Sequence, residues 1–239
     1  MGKGRAVVLV VAAVAAMVCW GVPARADIRV TPTIGYEAGG FNGGEFDITV
    51  DPHHDPLGYV TKVAPRSSSA GFSTFCLQTG QFFWPGYQYQ AEASTQTNHT
   101  APVTLANNAA WLFHVWNNKL WSQYGGAVSY NYTNAAQRAL DARALQQAIW
   151  YYQLGTGPSD SGASNYIGLA NSHGWGDGRG NIGSVRVLRL YKLASVQYPA
   201  TQLGDAQDQM FETPEPGSLV LLACGALGAL PLLRRRRVL

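Results

Sequence analysis

An α+β domain, a short-stranded β-sheet or sandwich with two packed amphipathic helices, is predicted for the middle of this 239-residue chain. Three observations predict it. Short β-branched or aromatic runs bounded by Gly, Pro and Asp come first. Two stretches with helical apolar spacing follow, and an alternating run returns near residue 190. A signal peptide and a C-terminal apolar helix flank the domain.

The strands are expected at 46–50, 58–63, 72–78 and 87–93, and "FDITV" at 46–50 alternates cleanly. The first helix is expected over 107–124, where Leu112, Trp116, Leu120 and Tyr124 recur at i+4 with Ala109 and Phe113 beside them. In the second, Asn134 and Gln137 form a capping box, and Leu145, Ala148, Ile149 and Tyr152 make the apolar face. Gly155 marks its stop. After a loop, 184–193 alternates again, with Val185, Val187, Leu188 and Leu190 as inward residues. The Gly-rich stretches 39–44 and 174–183 read as exposed loops. The expected organisation is a signal peptide at 1–26, an ectodomain at 27–199, a polar stalk at 200–213 and a sorting segment at 214–239. About 187 residues between the ends suffice for one well-cored domain.

The two ends address the chain to a membrane. Lys3 and Arg5 precede an apolar run over 6–18, and Ala24-Arg25-Ala26 supplies the small-x-small pattern that signal peptidase cuts. The run is short for a bilayer span, so cleavage after Ala26 is expected. Residues 217–233 would make roughly 25 Å of helix against about 30 Å of hydrocarbon. Arg234, Arg235, Arg236 and Arg237 follow, and clustered arginines resist translocation. Physics alone reads a short C-terminal tail anchor.

Pro214-Glu215-Pro216, the apolar helix and the four arginines together resemble the PEP-CTERM sorting signal of Gram-negative bacteria. The resemblance implies anchoring in the inner membrane and processing by exosortase, a membrane transpeptidase-like protease, near the Pro-Glu-Pro. It also implies a final place at the cell surface or in the extracellular matrix. Seven of the 17 basic residues lie in these two ends, so the +3 net charge belongs to the targeting segments. A nucleic-acid partner is therefore not expected. Cys19 and Cys224 also fall in the ends, which leaves Cys76 alone in the ectodomain with no disulfide partner.

Asp51, His53, His54 and Asp55 form the most metal-like cluster. Adjacent imidazoles do not easily face one ion, and prolines stiffen both sides, so an exposed turn without metal is expected. No cofactor is expected either. Most tryptophans sit at helical core spacing. Trp175, in the loop-like "SHGWGDGRG", is the candidate platform for stacking a sugar. A cysteine hydrolase would need an imidazole near Cys76; His99, His114 and His173 are available, but none sits in a recognisable local frame. His114 falls off the apolar face of its helix and reads as solvated.

Cys76 gains meaning beside "LQQAIW". Gln146 lies one turn before Ile149 and Trp150, on the same side of the helix. Packed against the Cys76 strand, its carboxamide carbon would be open to thiolate attack, with loss of ammonia and formation of an internal thioester. Backbone N–H groups would have to hold the oxyanion. Phe75-Cys76-Leu77, followed by Leu145-Gln146-Gln147-Ala148-Ile149-Trp150, resembles the thioester domains of bacterial surface adhesins. That resemblance implies covalent capture of an amine-bearing surface ligand, one event per molecule rather than enzymatic turnover. Gln147 is an equally close neighbour in sequence, so the register stays open by one residue. The alternative is a non-covalent exopolysaccharide-binding module with an inert, buried Cys76, and a cysteine hydrolase is a third reading.

Overall fold

The computed structural model describes residues 25–37, 44–50, 71–79, 81, 88–98, 101–124, 128–192 and 204–213. Its elements in chain order are β1 (Arg25–Glu37), β2 (Gly44–Val50), β3 (Gly71–Phe75) and β4 (Gln88–Ser94). Next come α1 (Asn107–Asn117), α2 (Ala135–Leu154) and α3 (Ser161–His173), and then β5 (Val185–Lys192), β6 (Gly204–Asp205) and β7 (Gln209–Glu212). The sheet is antiparallel throughout, in the order β3-β2-β1-β4-β5, with β6 and β7 both on the far edge of β5. Just past β3, Cys76 pairs with Gln209 of β7. Thr74 Oγ1 donates to the Met210 carbonyl and accepts from the Met210 amide, and Leu77 N donates to the Asp208 carbonyl. The sheet therefore nearly closes on itself, which hides edges that would otherwise be open to pairing. It is one curled sheet, not a sandwich.

Alternation sorts the side chains of β3. Phe72 and Cys76 join a cluster with Ile28, Val30, Ile48, Tyr89, Leu188, Leu190 and Phe211, into which Trp150 of α2 reaches. Phe75 and Leu77 point the other way, into a larger core built on α1, α2 and α3. The four inward residues predicted on β5 are all buried; Val185 and Val187 face the larger core, Leu188 and Leu190 the smaller.

The helices start and stop for local reasons. Asn134 caps α2 by accepting from Gln137 N at 3.0 Å, while the Gln137 side chain turns to Asp141 instead of back to the cap, so the box is half made. Gly155 ends α2 in the left-handed region at φ 73°, where a side chain would be strained. The first helix is shorter than its periodicity predicts. It stops at Asn117, Lys119 takes φ 56°, and Trp121–Tyr124 continues only as a 3-10 turn.

Three elements depart from expectation. The third helix, α3, has Gly162 and Gly168 and a small-residue face, so its apolar signal reduces to Ala163, Tyr166 and Ala170. Its cap, Asp160, accepts from Gly162 N. β1 contains the expected cleavage point; removal of 1–26 would leave Asp27 as its first residue. The stretch expected to be a polar stalk is part of the sheet instead: β6 and β7 lie within it, and residues from Ala206 to Phe211 are buried. The apolar helix at 217–233, the expected strand at 58–63 and the sorting motif (Pro214, Glu215, Pro216 and Arg234 to Arg237) lie outside the described residues. So does the cluster at 51–56. Among the described residues no helix is long and apolar enough to cross a membrane.

Candidate functional site

Cys76 stands where the sheet closes, and α2 supplies its partner. Gln146, wholly buried, turns its carboxamide onto the Cys76 backbone. Cys76 N donates to Gln146 Oε1 at 3.0 Å, and Gln146 Nε2 donates to the Cys76 carbonyl at 2.7 Å. Such a two-point contact fixes the carboxamide plane, and it satisfies the Cys76 N–H and C=O, which the bridge to Gln209 leaves for another partner.

The register left open by the sequence closes on Gln146. One residue on, Gln147 is turned by about 100° around the helix. Its Oε1 accepts from Ser159 N at 2.9 Å and Asp160 N at 2.8 Å, at the entry to α3. Trp150 packs in the cluster that holds Cys76, whereas Ile149 faces the larger core with Phe75 and Leu77. The shared helix side expected for Gln146, Ile149 and Trp150 is thus split between the two cores. The Phe75 ring packs edge-on against Trp116, with centroids 4.7 Å apart.

A polar lattice from the last strands lies beside the Cys76 segment, and Gln209 reaches the thiol itself. Asp208, fully buried, accepts from Leu190 N at 3.2 Å through Oδ1 and from Asn98 N at 2.7 Å through Oδ2. It thereby fills the irregular step between β6 and β7, where a backbone acceptor is missing. Gln78 holds both ends of this step: its Nε2 donates to Asp208 Oδ2, its Oε1 accepts from Asp208 N, and its carbonyl accepts from Gln207 Nε2. Burial pushes the Asp208 carboxyl up to about 7, against the opposing pull of its two backbone donors. Burial likewise pushes the Cys76 thiol far up, and a hydrogen bond with the Gln209 side chain only partly offsets this. The thiol is therefore neutral at ordinary pH. Gln209 Oε1 and Trp150 Nε1 are buried without a partner among the described residues.

The remaining candidates lie elsewhere. His114 is not simply solvated: its Nδ1 lies 2.7 Å from Glu212 Oε1, and its ring packs on Trp175 at 5.5 Å. Asn117 and Ser184 donate to the same carboxylate. Trp175 is half-buried against the helical core, so it is packing rather than an open sugar platform. His173 packs near the Tyr124 ring, and neither it nor His114 is hydrogen-bonded to Cys76. No group of three metal-ligating side chains occurs among the described residues. Sequence reasoning missed Gln209 at the thiol and the Gln78–Asp208 lattice beside it; the adjacent apolar pair Met210-Phe211 was the one hint of a strand there.

No protein-family model, curated protein or solved structure matches the chain.

Proposed function

We propose that this is an exported surface protein, sorted through its C-terminal Pro-Glu-Pro segment, whose ectodomain captures an amine covalently through Cys76 and Gln146. The observation that carries the reading is the two-point contact between the Gln146 carboxamide and the Cys76 backbone. It supplies one thing that thioester closure requires, a donor for the oxyanion. The Cys76 N–H already rests on the oxygen that would become the oxyanion, so its donor is in place before charge develops. Sulfur adds to the carboxamide carbon, the C–N bond breaks, and the thiol proton leaves with the nitrogen as ammonia. In the second step a primary amine adds to the same carbon, forms an amide on the Gln146 side chain and returns the proton to sulfur. Cys76 and Gln146 are both fully buried, which shields a thioester from water and makes amine entry depend on a local opening at the sheet closure.

Intact-mass spectrometry of the exported protein tests both parts. The mature chain should lack Arg234 to Arg237 and weigh about 17 Da less than its remaining sequence, the mass of the ammonia lost. Methylamine should add its own mass at Gln146 and make Cys76 alkylatable in equal measure. Cys76→Ala and Gln146→Ala should each abolish the deficit, and Gln147→Ala should not. Full sequence mass with a freely alkylated Cys76 in native protein would refute the capture chemistry. A retained arginine tail would refute the sorting assignment.

A further inference from the structure

Away from Cys76, the start of α1, the end of α2, α3 and the loop after it enclose a cleft of about 750 Å³. Its size lies within the range of small-molecule sites. Asn108, Tyr151, Tyr152, Asn171, Asp177 and Arg179 line it. We infer that this cleft binds a short stretch of saccharide.

The walls are built and ordered by specific bonds. Gly176, Gly178 and Gly180 all take positive φ, which lets the loop turn at each glycine and carry Asp177 and Arg179 between them. The loop is stitched to α1: Asn107 N donates to the Gly178 carbonyl, Gly180 N to the Leu105 carbonyl, and Asn181 N to Asn107 Oδ1. Arg179 spends its guanidinium on backbone carbonyls of Thr104 and Gln153. The guanidinium keeps its charge and stays exposed beside Asp177, so the cleft carries one charge of each sign.

What remains suits a polyhydroxyl ligand. Tyr151 is 38% exposed and stands edge-on to Tyr152 at 5.1 Å, so it offers an aromatic surface to sugar C–H groups. Tyr152 donates to Asn171 Oδ1 at 2.6 Å and hydrogen-bonds the Asn108 side chain. Asn171 has thus used its oxygen and keeps its amide N–H groups as donors. Asn108, 2% exposed, lines the cleft with its Oδ1 buried against Gly174. Donors from Asn171 and Arg179, a carboxylate acceptor from Asp177 and a phenol face match vicinal hydroxyls on a pyranose.

The inference is independent of the thioester. Titrating the full-length protein with cellotetraose, maltotetraose and chitotetraose, followed by amide NMR, tests it. At least one should bind, with shifts confined to α3, the end of α2 and the loop 174–183. Tyr151→Ala and Asp177→Asn, both at exposed positions, should each weaken binding by about five- to tenfold. Cys76→Ala and Trp175→Phe should leave it unchanged. Absence of binding by all three at millimolar concentration, or binding that Tyr151→Ala does not alter, would overturn the inference. A polyamine that binds the cleft in their place would overturn the ligand class.

Discussion

Replacing Gln146 with Glu converts the contact at Cys76 into a proton sensor. The native carboxamide accepts from Cys76 N and donates to the Cys76 carbonyl, at 3.0 and 2.7 Å. A carboxylate can accept the first bond, but its second oxygen would face the carbonyl oxygen across the other. Only the protonated acid reproduces both. Full burial further disfavours the ionised form, so the folded-state pKa of the new Glu lies well above its unfolded value of about 4.3. A raised acid pKa favours the fold below the unfolded pKa, and the advantage disappears as pH rises. Relative to its Gln parent, the variant should therefore match in stability near pH 4. Above that it should lose about 1.4 kcal/mol per pH unit, reaching about 3–4 kcal/mol at pH 7. For a domain of this size that is roughly 10 °C in Tm. The comparison belongs in a Cys76→Ala background, where no covalent link competes, with urea unfolding at pH 4, 5, 6 and 7. Both proteins share Asp208 and Glu212, so their titrations cancel in the difference. A difference that stays flat with pH would refute the contact, since it would show that the side chain does not rest on the Cys76 backbone.

Two further outcomes follow from buried charge. Glu45 is fully buried and is held by Arg138 through both carboxylate oxygens and by the Tyr130 hydroxyl at 2.8 Å. Arg138→Met should cost about 3–5 kcal/mol in denaturant unfolding by stranding that carboxylate, and adding Glu45→Leu should recover most of it. No recovery would mean that Arg138 contributes through packing alone. Burial acts to raise the pKa of Glu212, but hydrogen bonds from His114, Ser184 and Asn117 overcome it and hold the carboxyl down at about 2. A depressed acid stabilises the fold above its unfolded pKa, so about 2 kcal/mol should be lost as pH falls from about 4.5 to 2. Glu212→Gln should flatten thermal melts over that window, and an unchanged slope there would refute the assignment.

Local signals were legible where the chemistry is local. Asn134 and Gly155 mark the ends of α2 because a cap oxygen and a left-handed φ are properties of single residues. Cys76 and Gln146 were legible as a pair from their element types, but the choice over Gln147 needed the helix phase, which only packing against β3 decides. The last strands were hidden for the opposite reason. "GDAQDQMFE" looks solvated by composition, yet Gln78, Asn98, Gln207 and Asp208 satisfy one another from distant parts of the chain. A polar run can be buried only when its partners are known, and sequence order does not reveal them. His114 fails alike, since Glu212 approaches it from 98 residues away.

The meeting of Thr74 with Met210 joins residues 136 apart in the chain, well over half the span of the domain. Loop closure over such a distance is costly in entropy and makes for slow folding. It also imposes an order in time on a chain that emerges from its N-terminus. Strands β1 to β4 and all three helices can be present while the Cys76 segment still lacks its β7 partner. Residues 209–212 arrive last and complete the ring. Cover over Cys76 thus waits for a finished chain: a copy truncated before Gln209 would keep its thiol uncovered on that side.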